Sequence, residues 1–243
     1  MKHRPGLLLL LLSAACQSAP AAREADSSRP TLTVRSTEDF EVSGTGSNAA
    51  WARAEWTALR RRPKGEAPYE ARFKMLHSKT GLYVLMDGTD KKLTTTGRAD
   101  FENLWEEDVY EAFFWPFEGE SLYFEYEISP MNAELPILVP NNGGAFMGWR
   151  PWHYENDRKV RKATASVGGP KAPGGAVTGW SAEFFIPYAL MKGLRSVPPA
   201  AGSRWRANFY RVDYDGGKTT QWDWARVGPS FHEYRNYGVL VFE

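Results

Sequence analysis

Between Trp105 and Phe117 the chain sets four carboxylates, Glu106, Glu107, Asp108 and Glu111, among six aromatic rings. A half-buried strand alternates apolar and polar residues, and its polar side seldom carries so much aromatic surface. Rings provide flat faces on which the C–H surface of a sugar can stack, and carboxylates accept hydrogen bonds from hydroxyls. If the run pairs with Leu122–Ile128 across the turn Glu118–Gly119–Glu120, Glu111 falls opposite residues 124–126. Glu125 or Glu127 then shares its face. Two carboxylates about 5–10 Å apart are also the arrangement used in glycoside hydrolysis, so hydroxyl binding, hydrolysis by Glu111 with a neighbour, and a solvated charged face all remain open at this point.

Other chemistries find little support. Nucleophile signatures such as Gly-x-Ser-x-Gly are missing, and His77, His153 and His232 are too scattered to read as metal ligands. A haem-carrying electron-transfer sandwich would need a Met/His pair, for which Met75, Met86 or Met147 with His77 or His153 are weak candidates. The net charge of +1 comes from scattered Lys and Arg, without the basic face that a nucleic-acid partner requires. Cys16 is the only cysteine, which excludes a disulfide framework and cysteine-based metal centres.

Strands must position these groups. Tyr69–Ser78 and Leu82–Asp87 read as a hairpin around Lys79–Thr80–Gly81, with Gly81 free to take a positive φ. Asp108–Phe114 and Leu122–Ile128 form a second hairpin. Thr31–Val34, Arg161–Val167, Trp180–Ile186, Trp205–Tyr214, Thr219–Trp224 and Gly238–Phe242 supply further strands, while Trp51–Trp56 and Ala58–Leu59 suit a strand or a short turn. Tyr188–Leu194, after Pro187, reads as one short helix, and Pro136–Tyr154 as a long loop in which Trp149 and Trp152 are candidate ligand contacts. The expectation is an all-β antiparallel sandwich or jelly roll in one domain over residues 31–243. Trp51, Trp56, Trp180 and Trp205 are expected to pack in it, and Arg211 with Asp213 to form a structural ion pair.

Several runs now fall into one order: WEEDVYEAF (Trp105–Phe113), YFEYEISP (Tyr123–Pro130), GWSAEFFIP (Gly179–Pro187), RWRANFYRVD (Arg204–Asp213), WDW (Trp222–Trp224), Phe231–His232 and YGVLVF (Tyr237–Phe242). Together they resemble the family 9 carbohydrate-binding modules over residues 35–243, above all the stand-alone exported branch. The resemblance implies a β-sandwich that clamps a terminal sugar unit between two Trp rings, without catalysis. On it, Trp105 is the first jaw, Glu111 a hydroxyl acceptor, Trp224 the second jaw with Trp222 as competitor, and Gln221 a polar neighbour. The basic residue that the family places on the following strand has no counterpart in Leu122–Ile128, where Glu125 and Glu127 stand instead. Structural calcium is common in the family, but its ligands find no match here. A stacked ring contributes about 1–2 kcal/mol at roughly 25 cal/mol per Å². Each hydroxyl hydrogen bond adds about 0.5–1.5 kcal/mol net. Micromolar to millimolar affinity for a mono-, oligo- or polysaccharide is expected of a monomer.

The N-terminus carries a targeting signal. Lys2, His3 and Arg4 precede the apolar run Leu7–Leu12, which is shorter than the about 20 residues of a membrane span. Ser13, Ala14 and Ala15 then lead into Cys16, in the manner of a bacterial lipobox, although the usual Leu sits one position early. Residues 1–16 are thus expected to direct export, with Cys16 lipidated as a membrane anchor in the cell envelope. Gln17–Pro30, rich in Ala, Ser, Pro and charge, reads as a flexible tether.

Overall fold

The computed structural model describes residues 29–142, 145–146, 150–151 and 154–243. Period-two alternation builds a main sheet from β5 (Val109–Trp115), β6 (Leu122–Ile128), β7 (Glu134–Asn142), β12 (Arg204–Asp213) and β14 (Gly238–Phe242), in the order β14-β12-β5-β6-β7. β13 (Thr220–Asp223) joins β12 where β14 ends, and the two-residue strands β8 (Ala145–Phe146) and β9 (Arg150–Pro151) pair with β7. The second sheet runs β10-β11-β4-β3, from β3 (Ala71–His77), β4 (Gly81–Thr89), β10 (Arg161–Val167) and β11 (Gly179–Pro187). β2 (Thr57–Arg61) links β3 to β13. β1 (Thr31–Ser36) runs parallel to β14 and then to β3, stitching one sheet to the other. Apart from β1, the ladders are antiparallel. The expected sandwich is found, with these two parallel pairings added.

Alternation also explains why β5 is buried at every position. Tyr110, Ala112 and Phe114 enter the core between the sheets, where they join Phe73, Val84, Phe124 and Phe209. Val109, Phe113 and Trp115 point the other way, into a second cluster with Tyr123, Ile137 and Tyr210. That outer face is covered by Leu104 and by Tyr234 and Tyr237, which lie in segments outside the strands. A third cluster covers the outer face of the second sheet, where Trp51 and Phe40 pack on Tyr83 and Leu85. Glu183 pins this cover: it accepts hydrogen bonds from the Ser43, Gly44 and Gly46 amides and from Trp51 Nε1 at 2.8–3.1 Å.

Three expectations need correction. Tyr188–Leu194 is not a helix but a series of turns, with Gly193 at φ 112°. Leu190, Met191 and Leu194 have helical spacing, yet seven residues close too few helical hydrogen bonds, and core burial sets the path instead. Within the expected loop Pro136–Tyr154, residues 136–142 belong to β7 despite Pro136 and Pro140. β7 is flanked on its far side only by the two-residue strands, so the missing N–H groups cost little ladder. Gly81 lies in β4 without a positive φ; a Cβ there would meet Ile186 O at 2.4 Å, so close approach to β11 requires the glycine.

Candidate functional site

On β5 and β6 the odd-numbered residues face outward, and there Glu111, Glu125 and Glu127 interrupt the apolar cluster. Glu111 stands directly opposite Glu127 in the ladder, and Glu125 opposite Phe113. These four line a cavity of about 430 Å³, within the usual size of small-molecule sites. Ile137 of β7 and Val212 of β12 extend its floor, and Gln221 of β13 reaches it from the side. The half-buried rings of Trp105, Tyr214 and Phe231 complete the wall with Pro229 and His232.

Two loops carry the rings, and both are tied down. The loop of Trp105 is held by Glu107, which accepts from the Thr95 and Thr96 hydroxyls, the Thr96 amide and Arg98. Asp108 accepts the Thr94 and Tyr214 amides at 2.6 and 2.9 Å, and the Tyr214 hydroxyl donates to Trp105 O at 2.6 Å. The Trp105 amide hydrogen-bonds Glu127, which couples the ring's position to the carboxyl group below it. In the second loop, the Tyr210 and Tyr237 hydroxyls both donate to Phe231 O, and the Phe231 ring stacks on Tyr210 at 4.0 Å. The Tyr123 hydroxyl lies 2.5 Å from His232 Nδ1. Burial pushes the His232 pKa down to about 4, so the ring that hydrogen-bonds Tyr123 is neutral.

Charge in the cavity has one sign. Burial raises Glu111, Glu125 and Glu127 well above the ordinary carboxylate range, and mutual repulsion adds to this. Neither Glu125 Oε2 nor Glu127 Oε2 receives a protein donor. The two carboxyls hydrogen-bond one another, and burial favours their protonated forms. Among the described residues no Lys or Arg lines the cavity. Arg62 approaches the Phe231 ring at 5.3 Å, but Asp223 and the Gly228 carbonyl engage it.

Of the residues singled out from sequence, the fold brings Trp105, Glu111, Glu125 and Gln221 together. It removes both candidates for the second Trp jaw. Trp224 is 3% exposed and packs edge-on against Phe73 and Phe209, and Trp222 is 1% exposed with its ring 4.9 Å from the Arg211 guanidinium. Both lie in the core between the sheets because even positions of β13 and its continuation turn inward, opposite to Gln221. Trp149, Trp152 and Cys16 fall outside the described residues. Phe231, His232, Tyr214 and Glu127 complete the pocket; the Phe231–His232 pair, an aromatic doublet in a turn-rich stretch, was the available signal for two of them. His77 and Met75, from the haem alternative, end and fill β3 away from this cavity.

The acidic cluster of the described residues does not suit calcium. Asp90, Asp108 and Asp213 are the one group there with three carboxyl oxygens within 4.8 Å of one another. The buried Arg211 already donates to Asp90 and Asp213 at 3.0 and 2.8 Å, and both Asp108 oxygens hold amides. Such a set offers a guanidinium its counter-ions, not the six to eight oxygens of a calcium shell. The expected Arg211–Asp213 pair is present, directed into the core instead of outward.

This combination of a covered sandwich and a ring-and-carboxyl cavity on the outer face of one sheet defines a ligand-binding β-sandwich module. The family model described as carbohydrate family 9 binding domain-like matches residues 42–133, a stretch that includes Trp105, Glu111, Glu125 and Glu127. It bears out the resemblance read from the sequence. The fold is shared with a candidate carbohydrate-binding protein from Bacteroides uniformis, at TM-score 0.68 and 17% identity over 89% of this chain and 100% of that one. It is shared also with a family 9 module from Caldicellulosiruptor kristjanssonii, at TM-score 0.62 and 14% identity over 88% of this chain. That module was solved with cellotriose (94% of its chain covered) and with glucose (96% covered). No curated protein matches the chain in sequence.

Proposed function

We propose that this protein binds carbohydrate without transforming it, holding one sugar unit against the Trp105 ring with its hydroxyls on Glu111, Glu125 and Gln221. The observation that carries this reading is one cavity that combines half-buried rings with buried, donor-poor carboxyls. Phe231 or Tyr214 takes the place of the second Trp jaw. Hydrolysis is the weaker reading. The family whose model matches residues 42–133 is one of carbohydrate-binding domains, and the fold is shared with sugar-bound modules of that family. Titration calorimetry of the soluble domain with a panel of neutral, amino and acidic mono- and oligosaccharides tests the proposal. Binding in the micromolar to millimolar range without release of reducing sugar supports it; silence across the panel refutes it.

We also infer from the signal-like start and Cys16 that the domain is exported and tethered to a membrane by a lipidated cysteine. Among the described residues no helix is long and apolar enough to cross a membrane. Incorporation of labelled palmitate into the full chain, abolished by Cys16→Ser, is the expected result. An unlabelled wild type recovered wholly in the soluble fraction would overturn it.

A further inference from the structure

Among the described residues no cation answers the carboxyl groups of the cavity. Glu125 and Glu127 are 4% and 1% exposed, both line the cavity, and the Oε2 atom of each lacks a protein donor. His232 Nδ1 stands 3.8 Å from Glu125 Oε2, beyond hydrogen-bond reach, and belongs to an uncharged ring. Glu111 adds a third carboxyl from the neighbouring strand. A buried charge must be paired or neutralised. In the empty cavity protonation, which burial favours, does this. When a ligand displaces the water, the ligand can do it instead.

We propose that the cavity selects sugars carrying a protonated amine, with the ammonium seated between Glu125 and Glu127. This rests on the carbohydrate reading and names the class of sugar within it. A neutral hydroxyl brings one donor and no net charge. An ammonium brings three donors and a full positive charge, and charge-assisted hydrogen bonds to carboxylates are about twice as strong as neutral ones. On binding, protons held by Glu125 and Glu127 leave to solvent and the ammonium takes their place between the two carboxylates. A bare metal ion suits the site less well. Among the described residues three carboxyl oxygens gather within 4.8 Å only at Asp90, Asp108 and Asp213, so one ion would not collect those of all three cavity glutamates. An amino sugar spans the wider spacing, with its amine on one pair and its ring on Trp105. A uronate would place a fourth carboxylate among three and be rejected by like charge.

Calorimetry at pH 7 on the full chain with matched pairs, glucose against glucosamine and galactose against galactosamine, tests this directly. N-acetylglucosamine, which keeps the nitrogen and loses the charge, completes the set. At least one amine is expected to bind ten or more times tighter than its neutral parent, with the gain lost on N-acetylation. In Glu125→Gln that ratio should fall below about threefold. The wild-type comparison stands by itself should the variant fold poorly. If neutral sugars bind and neither amine gains over its parent, the amine inference fails while the carbohydrate reading stands. If neither these probes nor neutral oligosaccharides bind, both fail.

Discussion

Trp105 and Trp224 look interchangeable as rings beside acidic residues, yet their surroundings assign them opposite consequences on truncation. Trp105 is half-buried at the cavity, and its structural contacts to Glu127 and Tyr214 run through its main chain. Trp105→Ala therefore keeps both anchors and removes the stacking face. Losing about 1–2 kcal/mol of stacking weakens the dissociation constant about 5- to 30-fold. The same variant should cost only a few degrees in Tm, since the ring is partly wet before mutation. Trp224 packs between Phe73 and Phe209, so tightly that a Cβ on Gly238 would lie 2.5 Å from its ring. Truncating a buried Trp costs about 3–5 kcal/mol, which at about 2–4 °C per kcal/mol lowers Tm by roughly 6–20 °C. Calorimetric titration with the tightest sugar found, paired with thermal unfolding of each variant, separates the two effects. If Trp105→Ala binds within twofold of wild type, Trp105 is scaffold and the cavity assignment is wrong. If Trp224→Ala keeps its Tm and loses binding, the core placement of that ring is wrong.

Stability should fall as pH rises. Asp108, raised from 3.8 to about 8 by burial and by Asp213, and Asp90, raised to about 6 by burial, contribute stability that is complete below their unfolded value. It is lost as pH climbs through the folded values, and the three cavity glutamates act in the same sense. His232 opposes this on the acid side, where stability present above 6.5 is lost as pH falls towards 4. Urea unfolding from pH 4 to pH 9 should show the decline at the alkaline end, and Glu127→Gln should flatten it; an unchanged slope in the variant counts against the buried pair. Arg211→Met should cost about 3–5 kcal/mol, because Asp90 and Asp213 lose their counter-ion, and wild-type stability would refute the ion-cluster account. Glu183→Ala should free residues 43–51 to fast amide exchange, since one carboxylate holds three amides and the Trp51 indole there; unchanged protection of those amides would argue otherwise.

Much of the architecture was legible because strand periodicity is local. β6, β10 and β14 begin and end where the alternation of their residues does, and odd spacing alone puts Glu111, Glu125 and Glu127 on one face once β5 pairs with β6. The Tyr188–Leu194 helix failed for the converse reason: its apolar spacing answered to a core reached from the turns around it. β7 was hidden by Pro136 and Pro140, whose tolerance depends on which neighbour lies alongside. Direction along a strand repeats every two residues, so which way Glu111 or Trp222 points is written in the chain near it. How deep that direction leads is another matter. Trp224 became core and Trp105 remained half-open because distant segments cover one face and leave part of the other uncovered. The cavity's charge was decided in the same way, by which of the described side chains the loops at residues 105 and 231 bring in: rings and a neutral histidine around three carboxyl groups that each strand had already aimed there.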